Sequence, residues 1–110
     1  MNTHRIDNPY TGETVAERRF LEEHEVEGLV TRAFRAHRAW SRTPLSERIA
    51  LCDRFCEEFG KDAERIAREV TQQMGKPLQQ ARGEVKTALQ RARTMMSLAP
   101  EALRDESLPP

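Results

Sequence analysis

Two cysteines, Cys52 and Cys56, and three histidines, His4, His24 and His37, are the side chains of this sequence best suited to nucleophilic or metal chemistry. The cysteines stand four apart, one turn of a helix. That is neither the C-x-x-C spacing of a redox or zinc site nor a disulfide framework. A tetrahedral zinc site wants three or four ligands, and two thiols fall short. Nucleophilic catalysis wants Ser, Cys or Lys within reach of a base, and no histidine stands in a sequence relation to either cysteine. The pair reads instead as small apolar residues on or near a packing face. The glycines at 12, 28, 60, 75 and 83 are dispersed and match neither G-x-G-x-x-G nor the P-loop. We therefore expect no catalytic, cofactor-binding or metal-binding residue in the chain.

A sharper alternative lies at Cys56 to Ile66, where a small residue is followed by Gly60 four later and an apolar residue six beyond. Helix-turn-helix modules use a similar arrangement, and Arg65 and Arg68 could face phosphates. Asp62, Glu64 and Glu69 share the would-be reading helix and would repel a duplex. The arginines at 32, 35, 38 and 42 read more simply as a solvated helix end. Lys plus Arg balance Asp plus Glu at 18 each, so no net field draws the molecule to nucleic acid or an anionic membrane. We expect neither as a partner.

Six segments must position these residues. A turn at Asn8-Pro9-Tyr10-Thr11-Gly12-Glu13 predicts a β-hairpin over 4–20 with a G1-type bulge, Gly12 taking a positive φ. Two strands alone are marginal and need something to lean on. Val26, Leu29, Val30, Ala33, Phe34 and Trp40 fall on one stripe of a helix over 25–40. Glutamates at its start and arginines at its end suit the macrodipole, although good N-cap chemistry is missing. Thr43 as cap and Pro44 at the first position open a second helix over 44–59, with Leu45, Ile49, Cys52, Cys56 and Phe59 on one face and Gly60 as breaker. A third, over 62–74, carries Ala63, Ile66, Ala67, Val70 and Met74, with a Glu64–Arg68 pair. It stops at Gly75, which fits the left-handed C′ position, before Pro77. A fourth, over 78–98, is closed by Pro100, and the tail 99–110 is extended. Gly83 inside it marks either a close helix approach or a tolerated cost.

Leu, Ile, Val and Phe number 21 of 110, so we expect a thin core that needs a partner surface. No stretch approaches the ~20 apolar residues of a membrane span. The segment from Met1 to Asp7 is polar, unlike a signal peptide, so cytoplasm is the expected location.

Asn8-Pro9-Tyr10-Thr11-Gly12-Glu13, Ala36-His37-Arg38-Ala39-Trp40, Thr43-Pro44-Leu45-Ser46-Glu47-Arg48, Gln73-Met74-Gly75-Lys76-Pro77 and Ala81-Arg82-Gly83-Glu84-Val85 follow one another in order. This ordered set resembles the N-terminal region of the NAD(P)-dependent aldehyde dehydrogenase superfamily. Met-Gly-Lys-Pro looks most like the branch containing succinate-semialdehyde dehydrogenases.

The resemblance implies a mainly α chain, a hairpin followed by about four amphipathic helices, forming the N-terminal portion of a cofactor-binding domain in an α/β fold. In the complete enzyme a cysteine thiolate attacks the aldehyde, hydride passes to NAD or NADP, and a glutamate-activated water releases the carboxylate. In the family those residues lie downstream of this region. Neither Cys52 nor Cys56 matches the nucleophile, and Glu84 does not match the base. The chain alone is thus expected to bind no cofactor and to be inactive, its partner being the remainder of the enzyme or a full-length relative. The competing reading is a stand-alone helical interaction module.

Overall fold

The computed structural model describes residues 2–109; Met1 and Pro110, the two ends of the segments read above, lie outside it. Strands β1 (Thr3–Asp7) and β2 (Thr14–Arg19) pair antiparallel, followed by helices α1 (Glu23–Trp40), α2 (Leu45–Lys61), α3 (Ala63–Met74) and α4 (Leu78–Ala102). The chain is mainly helical with an N-terminal hairpin, as its periodicities predict.

The hairpin register pairs Ile6 with Ala16 and Asp7 with Thr14, which leaves Val15 as the extra, bulged residue. Its turn is built by Asn8: the side-chain oxygen accepts the Tyr10 backbone N–H at 2.9 Å, and the carbonyl accepts that of Gly12 at 2.8 Å. Gly12 takes φ +76°, as expected of a residue without a Cβ. Thr14 donates to Asp7 across the strands at 2.9 Å. That bond and the Arg5 guanidinium beside it hold the Asp7 carboxyl below the usual carboxylate range.

The helices differ from expectation mostly at their ends. α1 begins two residues early, and its start does carry cap chemistry: the Glu25 carboxylate accepts the Glu22 backbone N–H at 2.8 Å, one half of a capping box. Arg19 of β2 binds the same carboxylate at 2.7 and 2.8 Å. In α2 the cap is Pro44, not Thr43, because the Pro44 carbonyl takes the first helical bond, from Arg48. Thr43 instead turns back toward the Ala39 carbonyl at the end of α1. Gly60 does not break α2. It stays helical one contact from Leu89 of α4, and the helix closes at Asp62, which is also the N-cap of α3.

Met74 ends α3, and Gly75 takes φ +69° with its N–H on the Thr71 carbonyl. Pro100 does not stop α4, which runs to Ala102. The ring removes one donor near the helix end, and the next turn still closes, Leu103 donating to Ala99 at 3.0 Å. The extended tail therefore starts only after Ala102. Gly83 faces open space, so it is tolerated and marks no close approach.

The core is small. Ala67 of α3 and Ala81 and Val85 of α4 form it, with Phe59, Ala63, Ile66, Val70, Leu78 and Leu89 packed around them. Two alanines with no exposed surface let α3 and α4 approach closely. α2 lies on α4, β1 touches α3, and no residue of α1 is buried. The molecule is long, 64 × 40 × 26 Å, with a radius of gyration of 19.2 Å, where a compact chain of this length would have about 13 Å.

Candidate functional site

The cysteines part company in the structure. Cys56 is buried and Cys52 is exposed, and both thiols are free. On α2, Ile49 and Asp53 line a cleft with Arg93 and Met96 of α4, and Gly60 faces Leu89. Cys56 lies on that same stripe, between Asp53 and Gly60, and packs as a small apolar residue. Cys52, one turn earlier on the face shared with Cys56 and Phe59, is exposed beside Leu51 and Phe55. Grouping the two cysteines on one packing face therefore holds for the burial of Cys56 and not for that of Cys52. How far along α2 the cover extends is set by where the neighbouring helices sit, which residue types alone do not reveal. Among the described residues no three His, Cys, Asp or Glu side chains converge as a metal cage.

Charged groups pair with each other. The Glu64 carboxylate takes Arg82 of α4 in a two-pronged bond at 2.8 and 2.9 Å, and Arg68 at 3.0 Å. Hydrogen bonding from Arg82 leads in holding the Glu64 carboxyl below its usual range. Arg65 is held between Asp62 and Glu69, at 2.7 Å to each. The two arginines of the helix-turn-helix alternative are thus already engaged by the carboxylates that argued against it. Lys76 pairs with Glu84, tying the turn after α3 to α4. The Glu25 carboxyl is pulled down to about 2, first through its hydrogen bonds from Arg19 and then through the Glu22 backbone N–H. These are linkages between elements on a wet surface, worth little each.

Small-molecule sites are concave and draw polar groups from several elements. Here the main depressions run along single helices: Leu51 to Glu58 on α2, Ala33 to Trp40 on α1 with Thr43 beside it, and Glu22 to Glu27 at the start of α1. They are the flanks of uncovered helices.

The apolar residues that remain open are the chain's most distinctive surface. Val30 is 61%, Phe34 65% and Phe55 63% exposed, and Val26, Leu29, Leu51, Met74, Met95 and Leu98 are exposed with them. The accessible surface is 9512 Å², against about 6,200 Å² for a compact monomer of this mass. The excess belongs to an elongated chain whose helix flanks stand open. Sequence periodicity identified these stripes but not that they lack a cover, because a stripe looks the same whether or not something lies on it.

The model of the aldehyde dehydrogenase family matches residues 2–110. The chain is 37% identical to a succinate-semialdehyde dehydrogenase [NADP(+)] of Deinococcus radiodurans over 93% of its own length and 21% of the relative's. It is 32% identical to malonate-semialdehyde dehydrogenase 2 of Shouchella clausii over 98% of its length and 22% of the relative's. An N-succinylglutamate 5-semialdehyde dehydrogenase of Novosphingobium aromaticivorans is 48% identical over 56% of the chain and 13% of the relative. The chain thus spans about a fifth of the length of the first two of these curated relatives. It belongs to the aldehyde dehydrogenase family.

Proposed function

We propose that this chain is the N-terminal structural portion of an NAD(P)-dependent dehydrogenase that oxidises a semialdehyde to the carboxylate, and that it is inactive alone. The observation that carries this reading is the uncovered apolar surface just described, on a chain matching about a fifth of each relative's length. The semialdehyde substrate class comes from the names of the three relatives.

The family's dinucleotide does not fit the residues present. A cradle for its pyrophosphate needs a glycine-rich turn leading from a strand into a helix N-terminus. The two glycines with positive φ are committed elsewhere, Gly12 to the hairpin turn and Gly75 to the end of α3 against Pro9. Neither turn leads from a strand into a helix, so the redox step falls to the rest of the enzyme. The role left to this portion is mechanical, flanking the cofactor-binding sheet. No helix among the described residues is long and apolar enough to cross a membrane, and an intracellular location remains part of this proposal.

The purified chain, supplied with succinate semialdehyde and NAD or NADP, is expected to produce no reduced cofactor. Turnover that survives replacement of both Cys52 and Cys56 by serine would overturn the reading, since the chain has no other thiol. The reading frame past codon 110 is expected to encode a glycine-rich cofactor region and a cysteine motif; unrelated sequence there would count equally against it.

A further inference from the structure

We infer that α1 is an arm that orders only on docking. In the free chain the hairpin, α3 and α4 are preformed, whereas α1 becomes a persistent helix only when a concave apolar groove of the remaining enzyme closes over it. The inference deepens the proposed function and rests on it for the identity of the occupant.

No residue of this 18-residue helix is buried. In proteins most helical stability comes from packing an amphipathic face rather than from propensity, and this helix carries Gly28 in its interior, costing roughly 1 kcal/mol relative to Ala. Val26, Val30 and Thr31 add β-branched residues of low helix propensity. Its first turn is tethered to β2 by the Arg19–Glu25 pair, the one ion pair of α1 among the described residues. At 100° per residue, the side chains of α1 from Ala36 round to Phe34, apolar except for His37 among them, cover an arc of roughly 160°, on the broad side for a core-facing stripe, which starts at ~100°. The arginines at 32, 35 and 38 occupy the opposite side. So broad an arc fits a groove that wraps the helix and leaves the arginine side in water. The occupant follows from length: about four-fifths of each relative lies outside the matched region, and among the described residues nothing buries any residue of α1.

Trp40, the sole tryptophan, sits at the far end of α1 and reports on it. In hydrogen-exchange mass spectrometry of the 110-residue chain, amides from Val30 to Trp40 are expected to exchange at least tenfold faster than those around Ala67, Ala81 and Val85. Trp40 fluorescence is expected to match a solvated indole, and Phe34→Asp to leave the unfolding midpoint unchanged. Equal protection of α1 and α3, or a lowered midpoint in Phe34→Asp, would overturn the arm. The second measurement uses a fusion of the chain to the remaining four-fifths of the Deinococcus relative. If the fusion oxidises succinate semialdehyde, α1 exchange is expected to slow at least tenfold and Trp40 emission to shift to the blue. Free exchange in that active protein would overturn the groove. An inactive fusion whose Trp40 stays solvated would count against docking, while the free-chain result still decides the arm. Turnover by the 110-residue chain alone would instead sink the proposed function.

Discussion

Pro9 in the hairpin turn and Gly75 at the end of α3 are in contact so close that a Cβ added to Gly75 would lie 2.8 Å from the Pro9 ring. The contact joins two turns 66 positions apart in the chain and seats the hairpin on the helices, which a two-stranded sheet needs in order to persist. Gly75 is required twice, once for its φ of +69° and once for the space Pro9 occupies.

Gly75→Ala is therefore expected to lower the unfolding free energy by about 1–2 kcal/mol from the left-handed backbone alone, with the clash against a rigid ring adding to it. Gly83→Ala is the matched control. It lies in a helix with nothing within reach of its Cβ, and should stabilise by about 0.5–1 kcal/mol. Urea titrations of both variants check the pair, and equal effects would refute the packing account.

The α3–α4 seam predicts intolerance of added volume. Ala67 has no exposed surface, so Ala67→Leu should cost roughly 1–3 kcal/mol through overpacking. A neutral result in the same titration would mean that the helices can separate freely.

The two thiols should differ in reactivity. Cys52 is exposed and Cys56 is buried, so a colourimetric disulfide reagent should modify Cys52 promptly. Cys56 should react at least about tenfold more slowly, the ratio growing tenfold for each ~1.4 kcal/mol of opening free energy. Denaturant should erase the difference. Two equally fast thiols in the native chain would contradict the α2–α4 packing.

Acid should loosen the start of α1. The Glu25 carboxyl lies at about 2 in the folded chain against an ordinary 4.5, because Arg19 and the Glu22 N–H bind its charged form. A depressed carboxylate pKa contributes stability that is present above the unfolded value and lost as pH falls through the folded one. The Arg19–Glu25 tether should thus weaken from about pH 4.5 and be gone near pH 2. NMR titration of the Glu25 carboxyl carbon should show this low midpoint, and Arg19→Ala should move it back toward the ordinary value; a midpoint unmoved by that change would remove Arg19 as the cause.

Much of the architecture is legible from residue types. The positive φ of Gly12 and Gly75, the end of α3 at Met74, the start of α4 at Leu78 and the Glu64–Arg68 pair all follow from local chemistry, which acts over one turn and needs no distant partner. Pro100 and Gly60 mislead for the opposite reason. Each weakens a helix locally, and each is outweighed by its context: Gly60 packs beside Leu89, and the turn beyond Pro100 still closes.

The amino-acid sequence by itself determined the order of elements and the apolar stripe on every helix, because both are properties of neighbours along the chain. Only the tertiary structure decided which stripes are covered, because burial depends on an opposing surface. Ala67 and Ala81 supply one between α3 and α4, and among the described residues nothing buries any residue of α1. Cys56 inside and Cys52 outside is the same decision on a smaller scale, made by the position of α4 rather than by either residue.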